Sequence, residues 1–503
     1  MTLHIARRAL AGAAALAFVA AAAGARAAEL TVSQISETRD LASIDPFRSL
    51  DFTIPGSLIF DRLIERAADG SLQPGLATAW QQTAPTVWSF TIRDGVRFHD
   101  GSALTAADAA ATINFGLDPA NQSNFRLQLA PLVRAEAPDA TTLILRSDGP
   151  AGLMPEIVVA MPVLSAAQIA RADGGVRQQP LGSGPYRLEQ FRPGDRVIVA
   201  RNPAYWGHPA NFDRVTVKAV PEASTRVADL LSGGAQIAAD IPPGLGPRIA
   251  QAQAVRLLRE PGIRTNYISF LFKPPFDDAR VRRAIYHAID RRAFVASAWA
   301  GTAEPATGAV PERFGGFVPS FPLDDHDPAR ARALIAEAGI AGPLAVDLDV
   351  PPVELTAAQV LQAQLRRAGI ELRINPLESI AAVLDPRRLA ASPRGRMFMI
   401  TALDNHIFDT VRPFTAFYGP RSFLIGAVGF QPDPRFAEAV GGYAAAASAA
   451  DRRARAGEVM AIARETMPVI YLAYSEQFVG VADALAYAPQ GTGHLNFAAI
   501  RPR

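Results

Sequence analysis

The sequence predicts an α/β protein built from at least two lobes. At 503 residues the chain exceeds what one hydrophobic core usually holds. In its second half, helical patterns with Asp at the start and Gly at the end alternate with short apolar runs, as an α/β lobe requires. A hydrophobic share of 49% against 19% charged residues suits a globular protein with a large core.

Residues 1–27 read as an export signal. Arg7-Arg8 precede an apolar run, Ala9 to Ala23, and Ala25-Arg26-Ala27 offers a small-x-small cleavage site. The run is too short to span a membrane. The twin arginine leaves both the folded-protein and the general export routes open. Removing this segment takes away three arginines and no acidic residue, so the formal charge falls from +2 to −1. A nearly neutral mature chain argues against nucleic acid or an anionic membrane as partner. Lys218 and Lys273 are the only lysines, and there is no cysteine. That excludes disulfides, thiolate metal sites, a cysteine nucleophile and a lipidated cysteine anchor.

The elements follow in order. Glu29 to Ser33 begins a strand. Trp88, Phe90 and Ile92 alternate with polar residues in a half-buried strand; Asp94-Gly95 and Asp100-Gly101 turn the chain. Thr105 caps a helix, with Asp108 three residues on in a capping box. His99 sits among these turns and is read as structural rather than catalytic. From Gly182 to Gly207 the chain reads as turn, strand, Pro193-Gly194-Asp195 hairpin, second strand (Val197 to Ala200) and Asn-Pro loop. Asp277 or Asp278 caps a helix whose Val281, Ala284, Ile285, Ala288 and Ile289 share one face. Asp327-Pro328 opens another helix that Gly339 ends. Thr356 to Ala368 is a third, followed by Gly369 and a strand from Ile370 to Ile374. Asp451 to Thr466 is helical, Pro468 breaks it, and Val469 to Tyr474 is a strand. Gly-Gly pairs, Gly315-Gly316 among them, read as loops, and none has the order of a nucleotide-binding turn.

Several of these segments together resemble the bacterial extracellular solute-binding protein family 5. The first is Gly182-Ser183-Gly184-Pro185-Tyr186 followed by Arg201-Asn202-Pro203-Ala204-Tyr205-Trp206. The second runs from Ile59-Phe60-Asp61-Arg62-Leu63-Ile64 through Arg93 to Gly101 and Leu104-Thr105. The third is Pro275 to Ile285. The resemblance implies a two-lobed periplasmic binding protein fold (type II, cluster C) with an extra subdomain in lobe one. It implies these divisions: 28–54 and 181–265 in lobe one, 55–180 the extra subdomain, 266–474 lobe two, and 475–503 returning to lobe one. The hinge would be crossed near Asn266 to Phe270 and near Tyr474.

The resemblance also implies a receptor that hands a solute to an ABC permease in the inner membrane. It would act as a periplasmic monomer, without cofactor, nucleic-acid partner or catalytic activity. In peptide-binding relatives a Trp-x-x-Asp segment of lobe two pairs its carboxylate with the ligand's amine; Asp404 fits that position here. On the residues alone Asp404 equally serves as a loop cap. Thr401 stands where those relatives carry Trp, which counts against a peptide ligand and keeps metal chelates and other small solutes in play. Asn405, His406 and Arg412 lie in the same segment, and arginine suits a ligand carboxylate. Tyr267 and Tyr474 fall at the inferred hinge, and Asp51 in a region that faces the ligand in relatives. A secreted hydrolase is the contrasting reading, but the chain has no Gly-x-Ser-x-Gly, His-Glu-x-x-His or Ser-x-x-Lys.

Overall fold

The structure is a computed structural model that describes residues 28–34, 46–47, 54–67, 69–127, 129, 131–159, 161–171, 180–405, 408–419, 422, 428–429, 431–446, 448–491 and 495–503. The expected export signal (1–27), Asp51 and His406 lie outside the described residues, as do the side chains of Thr401 and Asp404.

Two long antiparallel strands, Val255–Phe270 and Val469–Ala482, form the middle of a mixed sheet. On one side the sheet continues through Ile237–Ala238, Glu29–Gln34, Arg214–Ala219, Arg196–Arg201 and Tyr186–Arg192. On the other it continues through Met397–Asp404, Leu344–Val350 and Ile370–Pro376. The central pair does not run in one register. It shifts between Glu260 and Arg264 and again between Asn266 and Tyr267. At the first shift a Cβ on Gly262 would lie 1.4 Å from the Ser475 carbonyl oxygen, so only glycine allows the two backbones to meet there.

Each side of the shift has its own core. Ile268, Phe270, Tyr471 and Leu472 pack with Val281, Leu361 and Val459 from the helices Ala279–Ala288, Leu355–Arg367 and Ala449–Thr466. Val479 and Val481 pack instead with Leu30, Val32 and Val215, and with Phe90 and Leu143 of a separate four-stranded antiparallel sheet. Apolar burial of this kind is the main driving force for each lobe. Between them lies a small cluster of Ile263, Val310, Phe314, Phe317 and Phe408.

Local signals act where the sequence places them. Trp88, Phe90 and Ile92 all face inward on Val87–Ile92. Asp278 Oδ1 accepts from Arg280 N at 2.8 Å, and Asp327 Oδ1 from Arg330 N at 2.9 Å. Thr105 N donates to Asp108 Oδ2 at 2.8 Å, closing the capping box. Gly95, Gly101, Gly194, Gly339 and Gly369 all take positive φ at the turns and helix ends expected of them. Two elements run longer than their patterns. The last helix starts at Ala449, because Ser448 caps it. The final long strand reaches Ala482, because pairing shifts register at Ser475-Glu476-Gln477 and then resumes from Gln477 onward.

Candidate functional site

The family-like segments converge on one buried carboxylate. Asp61 follows the short helix Ile54–Ile59 and is 7% exposed. Its Oδ1 accepts from Tyr205 Oη at 2.9 Å; its Oδ2 accepts from Trp206 Nε1 at 2.7 Å and Ser183 Oγ at 2.8 Å. Asn202 ties the same loops together, taking Arg187 on Oδ1 and donating from Nδ2 to Gly184 O. A Cβ on Gly182 would stand 1.9 Å from Ile59 O, which explains a glycine at that turn. His99 Nε2 lies 3.1 Å from Gly184 O, and burial lowers the ring's pKa to about 4, so it is a neutral scaffold group at pH 7. Arg93 lies 4.6 Å over the Trp206 ring and donates to Gly75 O. This assembly ties the three motif loops together, and Asp61, Tyr205 and Trp206 also line a cavity.

The segment expected to bind ligand lies elsewhere, at the boundary between the cores. The strand Met397–Asp404 pairs with Val255–Phe270, setting Asp404 opposite Arg264 and Ile400 opposite Tyr267. Thr265, across from Leu403, is also across from Tyr474. The backbone thus brings Thr401, Asp404, Tyr267 and Tyr474 onto three adjacent strands. Tyr267 is buried with its ring 4.7 Å from Phe417 in an edge contact. Burial pushes its hydroxyl pKa up, and the positive charge of Arg412 acts against that rise. Arg412 is half-buried on the helix Val411–Phe417. The Tyr474 hydroxyl is engaged by protein: it accepts from Gly308 N and donates to Gly308 O, both at 3.0 Å.

Behind this edge Asn405 and residues 408–410 make several contacts with the rest of the fold. Asn405 Nδ2 donates to Asp409 O at 2.8 Å, while its buried Oδ1 has no hydrogen-bond partner. Asp409 Oδ1 accepts from Tyr443 Oη at 2.6 Å and Val411 N at 2.8 Å. Burial raises the Asp409 carboxyl to about 6 despite those two donors. Gly315 pairs with Asp409 through Gly315 N to Phe408 O and Thr410 N to Gly315 O, each at 2.9 Å. Next to it, Gly316 has φ +71°, and a Cβ there would meet Tyr443 Oη at 2.1 Å and Thr410 Oγ1 at 2.2 Å. Phe408 itself takes φ +56°, a conformation that side chains seldom adopt. Its ring stacks on Phe314 at 4.7 Å and lies under Arg66 at 5.1 Å. A cavity of about 820 Å³ extends from Phe408 along Arg66, Glu65, Trp206 and Phe497.

Sequence reasoning missed two parts of this arrangement. Asp61 was quoted only as part of a motif, and Gly315-Gly316 only as a loop. A Gly-Gly pair followed by Phe in an apolar stretch was the available signal, and it carries no partner's address.

The fold and this boundary segment define a two-lobed α/β binding protein. Residues 71–417 match the family described as bacterial extracellular solute-binding proteins, family 5 Middle, and the chain belongs to it. It is 32% identical over 300 residues to the glutathione-binding protein GsiB of Shigella boydii serotype 4 (strain Sb227), and 31% identical to that of Escherichia coli (strain K12). These alignments span 58% of this chain and 58% of the relatives' length. The fold is also that of the periplasmic binding protein DppA from Helicobacter pylori in complex with peptide STSA, at TM-score 0.80 and 20% identity. That comparison covers 94% of this chain and 98% of the other. NikA from Staphylococcus aureus in complex with Ni(L-His)2 matches at TM-score 0.78, 20% identity, over 94% and 100%. No helix among the described residues is long and apolar enough to cross a membrane.

Proposed function

We propose that the protein is the substrate-binding receptor of an ABC importer, exported to the periplasm by residues 1–27 and monomeric there. It captures a peptide-like or amine-bearing solute between its lobes, closes, and delivers it unchanged to a permease in the inner membrane. What supports this reading is a pair of separate cores joined by two long strands, with the strand Met397–Asp404 paired to one of them. A solute bridging both lobes binds the closed form more tightly and shifts the population toward it. Lobe one takes 28–54, 181–265 and 475–503 with its subdomain at 55–180; lobe two takes 266–474.

Within the cleft, Asp404 pairs with the solute's amine, and Arg412 with a carboxylate. Thr401, Asn405, His406 and Asp51 complete the polar contacts, and Tyr267 and Tyr474 wall the hinge side. The similarity to proteins named for glutathione binding favours a small peptide-like solute with both charge signs. Thr401 in the place of Trp favours instead a metal chelate or other small solute, and the two readings give different masses.

The test is native mass spectrometry of the mature protein recovered from a bacterial periplasm, repeated after denaturation. A ladder of peptide masses or one discrete solute mass supports the receptor. Conversion of a captured solute, or no capture across peptide, glutathione and nickel–histidine mixtures, refutes it. Once a solute is known, Asp404→Ala should weaken an amine ligand by on the order of 3 kcal/mol in calorimetry. Unchanged affinity removes Asp404 from the site while leaving the receptor reading intact.

A further inference from the structure

The two lobes also touch at a point remote from the hinge strands, and this contact is built from both sides. On the lobe-one side, Trp88 Nε1 donates to Ala151 O at 2.8 Å and Ala151 N to Pro85 O at 3.2 Å, fixing the chain at 151 to the four-stranded sheet. Met154 and Val158 of the following helix, Met154–Val158, belong to the lobe-one core. Yet Leu153, between these anchors, is buried in the lobe-two core. Gly152 N donates to Ala444 O at 3.0 Å, and a Cβ on Gly152 would stand 2.5 Å from Ala446 O. Only a glycine lets the two backbones come this close. Glu156 then pairs with Arg452 of Ala449–Thr466 at 3.3 Å, with side chains 19% and 22% exposed.

Charge around this pair is balanced. Arg66 and Glu156 come from lobe one, Asp409 and Arg452 from lobe two. Glu156 and Asp409 both act on Arg66, and Glu156 and Arg452 both act on Asp409. Tyr443, which donates to Asp409, faces the same cluster. Two positive and two negative groups thus meet in a partly buried site, so screening is weaker than on an open surface. The cluster adjoins Phe408, whose ring lies under Arg66, and Asn405, which donates to Asp409 O.

We propose that Gly152, Leu153 and the Glu156–Arg452 pair form a latch that holds the lobes together, so that solute capture starts from a chain already biased toward closure. The inference rests on the lobe-closure reading above but is tested without any solute. An apolar plug, a backbone hydrogen bond and an ion pair act in parallel across one gap that the hinge strands do not reach. Each is lost when the lobes separate, whereas the hinge pairing is not.

Small-angle X-ray scattering on the solute-free mature chain, its emptiness confirmed by native mass spectrometry, reads the lobe separation directly. Glu156→Arg and Arg452→Glu should each enlarge the radius of gyration, and the double variant should restore the wild-type profile. Gly152→Ala should enlarge it too, with far-UV circular dichroism unchanged. Should the charge-reversed chains unfold, Glu156→Gln and Arg452→Gln provide the same comparison without a buried like-charge pair. Profiles identical to wild type in all single variants, or enlargement that the double variant does not reverse, overturn the latch. Failure to capture a solute leaves these profiles unaffected, so the receptor reading and the latch fail separately.

Discussion

Two buried aspartates, Asp61 beside Phe60 and Leu63 of one core and Asp409 against Tyr443 of the other, are raised by burial to about 6, and a tyrosine hydroxyl donates to each. Their surroundings differ in kind. Asp61 uses both oxygens and takes three side-chain donors, all from lobe one. Asp409 takes one phenol and one backbone N–H, both on Oδ1, and stands beside charges contributed by the other lobe. The first arrangement is satisfied by neutral donors from its own loops; the second also feels the charges of Glu156 and Arg452 from distant parts of the chain. The most recognisable motif in the chain therefore surrounds a carboxylate with structural partners, while the segment proposed to meet the solute adjoins a less conspicuous one.

The comparison is sharpest when each carboxylate is removed. Asp61→Ala strands the Tyr205 hydroxyl, the Trp206 indole N–H and the Ser183 hydroxyl in a buried site. We expect a loss on the order of 3 to 5 kcal/mol in urea denaturation, with poor expression as its first sign. Asp409→Ala strands only Tyr443 Oη and Val411 N and should cost on the order of 2 kcal/mol. Equal losses would show that the two sites are not different in kind.

Gly316→Ala probes the lobe-two side alone. The new Cβ would require Tyr443 and Thr410 to move, at a φ that alanine tolerates poorly. A loss of about 2 kcal/mol is expected, together with weaker solute capture in native mass spectrometry. The cradle holds the chain next to Asp404, so capture should suffer more than it does for a Gly95→Ala control, whose Cβ would meet nothing within 4 Å.

How much of this was legible in the sequence depends on distance along the chain. Capping pairs such as Thr105–Asp108 and Asp327–Arg330 lie three residues apart and were read directly. Alternation placed Trp88, Phe90 and Ile92 inward without any tertiary knowledge. The Asp61 hub spans 122 residues to Ser183 and 144 to Tyr205, and the Glu156–Arg452 pair spans 296. No spacing rule reaches across such separations, because loop closure at that length is set by the whole fold rather than by local propensity. Resemblance pointed to the segment 401–412, yet the reasons Gly315 and Gly316 must be glycine lie at Asp409 and at Tyr443 and Thr410, about a hundred residues on. The polar stretch Ser475 to Gln477 hid the length of the final strand for a similar reason: its partners are Arg264, Glu260 and the 302–303 segment, all more than 170 residues away.

An effect that vanishes near pH 4 tests the Asp409 carboxyl by pH. In the unfolded chain both release their protons near 3.8; in the folded chain they do so near 6. Between those values the folded form binds more protons, so stability is full below about pH 4 and falls as pH climbs through 6. Glu354, pushed up to about 7 by burial alone, adds a later fall of the same sign. Asp409→Asn keeps both hydrogen bonds, since Tyr443 and Val411 meet the same oxygen, and removes the titration. Its stability should match wild type near pH 4 and exceed it near pH 7 by at most about 3 kcal/mol. Denaturation midpoints across that range decide the matter. A curve parallel to wild type would mean that Asp409 stays charged throughout, compensated by Arg66 and Arg452, unlike the Asp61 carboxyl.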